Sequence, residues 1–308
     1  MSVNLERDMR ALLLDDLTTE TAHPERLAQL STGDLLIVYA NWALRHPSVK
    51  PRTVHLSREL RRRLSRPGEL SNSVRVVLDE IAAGADLSGR LSSDVAVAWV
   101  PPEANRRERL RTLDRYLYAW GIHHLHLGQR TSSRHRRTGE LLFVCFVDND
   151  AFALDALPHQ AWNTDQLLRI AADNWPDDGP LLRLSGAIGL AQPVTEQDRV
   201  ELRNGNVSTF FPHKGRVYGA RDSLTLAGTS MRAASWASLQ LQNLNRAAQL
   251  LRTTPECLSD ALGTPTGSVG ERHWRLTVRD GGFVVQDGPG GGALALDDVA
   301  ALSSPPGP

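Results

Sequence analysis

Over the first 120 positions, apolar residues recur at intervals of three and four, the period of one helix face. Leu5, Met9, Leu12, Leu13 and Leu17 form such a stripe and predict a helix over residues 2–19. Leu35, Val38, Tyr39 and Trp42 predict another over Asp34–His46, capped by Ser31 or Thr32 and closed by Pro47 and Pro51. Ser57 can cap a short basic helix, Arg58–Leu64, after which Pro67-Gly68 breaks the chain. Val74, Val77, Leu78 and Ile81 then mark a helix over residues 69–83 that Gly84 stops. Periodicity leaves residues 85–103 open, since Asp94–Val100 suits a strand or a buried helix end. Leu110, Leu113, Leu117 and Trp120 predict one helix over Ala104–Trp120, ended by Gly121.

The period then changes from helical to alternating. Ile122–Gly128 reads as a strand with Ile122, His124 and His126 on one face and His123, Leu125 and Leu127 on the other. Leu141–Val147 is apolar on both faces, the mark of a central strand covered on both sides. Asp148-Asn149-Asp150 is a hairpin turn, Ala151–Leu157 its return strand, and Pro158 the stop. A helix over Thr164–Trp175 follows, then a short one over Thr195–Arg203. Val207–Phe211 and Arg216–Gly219 read as a second hairpin across residues 212–215. The longest helix starts at Thr229 or Ser230, with Trp236, Leu239, Leu244, Ala247 and Leu251 inward and Gln240, Gln242, Asn243, Asn245 and Gln249 on an outer face that reads as solvated, with packing against another domain or partner as its alternative. Thr254–Ala261 reads as one more helix, His273–Arg279 and Phe283–Gln286 as a small hairpin, and the Ser-Pro-Gly tail as disordered. These elements predict an α+β fold. It has a helical N-terminal region (1–103), a central antiparallel sheet packed with helices (104–190), a hairpin plus long helix (191–262) and a C-terminal hairpin (263–308).

Composition narrows the classes. With 308 residues and 41% apolar content the chain can build a sizeable core and is no disordered polymer. Thirty-five basic residues balance thirty-five acidic ones, so no global field draws it to nucleic acid or membrane. The basic residues are nearly all arginine, with lysine only at 50 and 214. Two distant cysteines, no leader and no run of 18 apolar residues predict a soluble cytoplasmic protein without a membrane partner. Cys-x-x-Cys and His-Glu-x-x-His motifs are absent, and the glycines at 288 and 290–292 lack a strand-to-helix setting. No cofactor is expected.

Chemistry concentrates in residues 120–162. His124 and His126 share a strand face, Asp155 and His159 lie on or just past the return strand, and Arg130, Arg134, Arg136 and Arg137 fill the connection between strands. Metal-independent RNA cleavage needs a base for the 2′-hydroxyl, an acid for the leaving oxygen and cations for the phosphorane charge. Histidine has the right pKa for the first two roles. His124 and His126 are therefore candidate base and acid, Asp155 an orienting carboxylate, His159 and Arg137 phosphate contacts, and Arg130, Arg134 and Arg136 substrate-binding residues. Two other readings use the same residues: a metal hydrolase built on the His124/His126 pair, and a non-catalytic binding or scaffold protein whose histidines brace the sheet. Elsewhere the basic run Arg61–Arg66 reads as a solvated face, with a phosphate patch as its alternative; His213–Arg216 reads as a polar turn and Gly228–Ser230 as ordinary helix capping.

The segment from Leu125 to Trp162 resembles the sheet of RelE/HigB-type toxin ribonucleases. The matching pieces are Leu127-Gly128, Arg137, Leu142-Phe143-Val144, Asp148-Asn149-Asp150, and His159 with Trp162. Glu140-Leu141-Leu142 stands where that family places an arginine on the central strand. The resemblance implies an endoribonuclease of toxin or defence type, with RNA as substrate, a protein antitoxin as partner, and Arg137 and His159 in the site. Trp120–Gly128 is also similar to a segment of uncharacterised bacterial and phage-related proteins.

Overall fold

The computed structural model describes residues 4–92, 94–128, 130–131, 134–135, 139–159, 164–254, 257, 261–262, 274–279, 282–287 and 292–302. In chain order the helices are α1 (Leu5–Leu17), α2 (Pro24–Leu27), α3 (Thr32–Leu44), α4 (Arg58–Leu64), α5 (Glu69–Ala83), α6 (Arg106–Arg111), α7 (Arg115–Trp120), α8 (Gln166–Asn174), α9 (Glu196–Asn204), α10 (Met231–Thr253) and α11 (Leu296–Leu302). The strands are β1 (Thr53–Leu56), β2 (Ile122–His126), β3 (Arg130–Thr131), β4 (Arg134–His135), β5 (Glu140–Val147), β6 (Asp150–Pro158), β7 (Leu182–Arg183), β8 (Phe211–His213), β9 (Arg216–Gly219), β10 (Trp274–Arg279), β11 (Gly282–Asp287) and β12 (Ala293–Ala295). The fold is α+β, with N-terminal helices, the long α10 and a C-terminal antiparallel sheet.

The main sheet runs β1-β6-β5-β2. β5 is apolar on both faces because both are covered. On one face Ile122, Phe143, Cys145, Phe152 and Leu154 pack with Tyr116–Trp120 of α7 and with Leu167, Ile170 and Ala171 of α8. On the other, Leu125, Leu142 and Val144 pack with Leu60 and Leu64 of α4 and Val74, Val77, Leu78 and Ile81 of α5. The small side chains of Ala151, Ala153 and Ala156 lie in this second cluster. Between Phe143 and Val144 the register shifts, leaving Leu154 without an opposite residue on β5. Such a bulge bends the strand and re-aims its side chains.

The expected antiparallel sheet is in fact mixed. β2, β5 and β6 pair antiparallel, but β1 joins the edge parallel to β6, with Thr53 opposite Asp150 and Leu56 opposite Ala153. Four residues bounded by Pro51 and the Ser57 cap carry too short a pattern to announce a strand whose partner lies nearly a hundred residues on. A second difference is the helix expected over 104–120. It is two helices, because Asn105 closes a capping box on α6 and Asp114 caps α7 through the Leu117 N–H. Residues 94–103 form turns and irregular chain, neither strand nor helix. The 207–219 hairpin is shorter than expected and turns at Lys214-Gly215, both at positive φ.

The chain forms two compact units from interleaved stretches, whereas the expected regions were consecutive. One comprises Asn41–Val97 and Asn105–Arg232 and contains the main sheet. The other comprises Met1–Ala40, Ala98–Ala104 and Ala233–Pro308. In it α1 buries Leu5, Met9, Leu13 and Leu17, packs against β10, and accepts the Leu276 N–H on Asp8. Gln240 and Asn243 of α10 are buried there, donating to Asp297, rather than facing solvent, while Leu239 is exposed. Most of the helix expected over 254–261, residues 263–273 and the glycines at 288, 290 and 291 lie outside the described residues.

Candidate functional site

β2 carries the histidines on a rigid support, hydrogen-bonded along its length to β5 so that His124 lies opposite Phe143 and His126 opposite Leu141. Alternation sets His124 and His126 on the Ile122 face and His123 on the other. His124 is largely enclosed, and its Nδ1 lies 3.9 Å from Oδ2 of Asp114, within ion-pair reach and just beyond a hydrogen bond. The other oxygen of Asp114 accepts the Leu117 N–H at 2.9 Å. The cap that starts α7 therefore also holds a carboxylate against the strand. His124 also meets the exposed ring of His159, edge to face, with centroids 6.2 Å apart. Asp114, His124 and His159 thus form one row, and His126 sits two residues along the same strand face.

The other predicted site residues are placed differently. Asp155 is 3% exposed and its carboxylate is gripped by the Arg63 guanidinium, Nε to Oδ1 at 2.8 Å and Nη2 to Oδ2 at 3.1 Å. It also accepts the Ala156 N–H. Its carboxylate, held by two guanidinium bonds, joins α4 to β6, while the carboxylate beside His124 is that of Asp114. Arg63 comes from the basic run of α4, which is therefore not simply a solvated face. Its neighbours Arg61 and Arg62 are exposed. Arg130 and Arg134 lie on the two-stranded ribbon β3-β4, where Arg130 is opposite His135 and Thr131 opposite Arg134. Arg136, Arg137 and Trp162 lie outside the described residues.

Before the ribbon the strand end is tied down. Arg90, 4% exposed, makes a two-pronged ion pair with Glu80 of α5 and donates to the carbonyl of Gly128 at 2.5 Å. The ribbon therefore leaves the sheet from a fixed point. Asp114, Arg63 and Arg90 were not singled out from the sequence. The signal for Asp114 was present, an N-cap residue three positions before a helical leucine, but a continuous amphipathic stripe concealed the break.

His123 is of another kind. It is buried, and its ring meets Phe146 in a T-shaped contact at 5.2 Å. Burial first, then the charges of His124, Arg232, Arg52 and His46, push its pKa down to about 3. Burial thus favours the neutral imidazole. Cys145 is buried, and burial holds its thiol well above the ordinary range.

Among the described residues no three His, Cys, Asp or Glu side chains are grouped to hold a metal ion, and no helix is long and apolar enough to cross a membrane. Compared with family models, curated proteins and solved structures, the chain shows no significant match to any of them.

Proposed function

We propose that the chain is a metal-independent endoribonuclease whose acid–base pair is His124 and His159. The observation that carries this reading is the row Asp114–His124–His159, a carboxylate, an enclosed imidazole and an exposed imidazole in sequence. Neutral His124 takes the proton of a ribose 2′-hydroxyl, and the freed oxygen attacks the adjacent phosphorus. Protonated His159 gives its proton to the departing 5′-oxygen. The products are a 2′,3′-cyclic phosphate and a 5′-hydroxyl end, with one proton moved from His159 to the leaving oxygen and one gained by His124. Asp114 steadies the imidazolium that forms on His124, as the carboxylate of a catalytic triad does. The ribbon arginines Arg130 and Arg134 supply positive charge for the phosphate, and His126 is the alternative proton donor on the same strand face.

The test is incubation of the purified chain with mixed single-stranded RNA, with and without a chelator, followed by end-group analysis. Cleavage leaving cyclic phosphate and surviving the chelator is expected, with His124→Ala slower by about 10²–10⁴-fold. Asp114→Asn keeps the helix cap and is expected to lower kcat and displace the acidic limb of the pH profile. RNA left intact, or cleavage abolished by the chelator, sinks the proposal. The first outcome returns the histidines to bracing the sheet, and the second moves the chemistry to a metal on the His124/His126 strand.

A further inference from the structure

A cavity of about 280 Å³ lies where α7 passes into β2 and β5 turns toward β6. Neither His124, His126 nor His159 lines it, so the cavity is separate from the proposed ribonuclease site and independent of that reading. Its apolar walls include Trp120 and Phe146, and its polar lining is His123, Asp148, Arg221, Asp222 and Arg232.

Two observations point to a ligand. The first is His123, 9% exposed, whose ring makes no hydrogen bond with any described residue and lines the cavity. Its ring is thus left to find a hydrogen-bonding partner within the cavity that it lines. The second is the state of the lining arginines. Asp222 accepts the Ser223 and Arg232 N–H groups and the Ser230 hydroxyl. The exposed Arg232 guanidinium has no hydrogen bond or ion pair among the described residues, and Arg221 reaches only the Gly179 carbonyl. Behind the wall, the Arg52 guanidinium lies 4.7 Å from the centre of the Phe146 ring and bonds only Lys50 and Ser48. The lining thus carries two guanidinium groups and two carboxylates, Asp148 and Asp222, with no ion pair between them among the described residues. Burial first, then the charges of His124, Arg232, Arg52 and His46, oppose protonation of His123.

We propose that this cavity binds a small flat molecule bearing an oxyanion, a carboxylate or a phosphate ester. The oxyanion sits on Arg221 and Arg232, the flat body lies against Trp120 and Phe146, and His123 completes a hydrogen bond to a polar group on that body. The volume lies just below the usual range of ligand pockets, about 300–1,000 Å³, and suits one or two rings. Arginine is matched to both oxyanions by its planar fork.

Calorimetric titration of the full chain with benzoate, benzamide, adenosine 5′-monophosphate, adenosine and inorganic phosphate decides this. Saturable binding of benzoate or the nucleotide is expected, at least about tenfold tighter than the neutral counterpart. Binding of benzoate alone identifies a carboxylate ligand, and of the nucleotide alone a phosphate ester. Arg221→Ala with Arg232→Ala changes two exposed side chains, is expected to leave the circular dichroism spectrum unaltered, and should weaken binding by about tenfold or more. His123→Leu tests the buried partner separately, with a smaller loss expected. No binding up to millimolar concentration, equal binding of the neutral compounds, inorganic phosphate as tight as the nucleotide, or full binding by the double arginine variant each overturns the assignment.

Discussion

Among single residues, His123 has the clearest energetic signature. In the unfolded chain its imidazole titrates near 6.5, whereas burial holds the folded group neutral down to about 3. Between these values the unfolded state binds the extra proton, so stability rises with pH across the window and is complete above it. One proton of linkage gives a slope of about 1.4 kcal/mol per pH unit. Denaturant titrations from pH 7 down to 4 should therefore show a steep loss of stability that is reduced by about one proton in His123→Leu. Equal slopes in the two proteins would refute the neutral buried imidazole. The sequence showed that His123 faces away from His124 and His126, which follows from alternation alone. It did not show the burial, because the wall formed by Phe146 and the charges of Arg52 and Arg232 come from three separate stretches. Asp114 was hidden for a different reason: a carboxylate in the middle of an amphipathic run reads as part of its polar face until the backbone breaks there.

Between elements, the joint of α4 with β6 depends on one pair. Asp155 follows the bulge residue Leu154 and receives Arg63 through two bonds. Its carboxylate is buried, while Arg63 is about a third exposed. Removing the arginine strands a charge in the interior, which costs about 3–5 kcal/mol for a fully enclosed pair. Partial exposure of Arg63 lowers this, and Arg63→Leu is expected to cost about 2–3 kcal/mol in urea unfolding. Asp155→Leu together with Arg63→Met should recover most of the stability, since a satisfied apolar joint needs no charge. A single variant as stable as the parent would show that the pair does not hold the joint. The spans of α4 and α5 were legible to the residue from caps, breakers and the helical stripe, and β5 from its unbroken apolar run. The pairing of α4 with β6 was not, because Arg63 sits in a charge run that looks solvated and a one-residue bulge lies next to its partner.

For the whole molecule, the order of segments matters more than their kind. The unit containing α1 is assembled from stretches at both ends of the sequence and a short piece between. Its apolar stripe of Leu5, Met9, Leu13 and Leu17 is buried where α1 packs with β10. A chain ended at Leu262 should therefore keep the main sheet but expose that stripe. Amide exchange at α1 would quicken and binding of an apolar dye would rise, while β5 amides stay protected. Unchanged protection at α1 would mean that β10 is dispensable to it. The α+β class could be read from the sequence because each element has its own period. The interleaving could not, because periodicity is local and says nothing about which distant stretch covers a given face.

That interleaving has a consequence during synthesis. The hydrogen bond from Leu276 to Asp8 joins residues 268 apart. At roughly 5–20 residues per second, α1 waits on the order of 15–50 s for the strand that covers it, long after β5 and β6 have met across a two-residue turn. The contacts of the α1 stripe with β10 are made only after this interval, so α1 completes its packing long after the main sheet has paired.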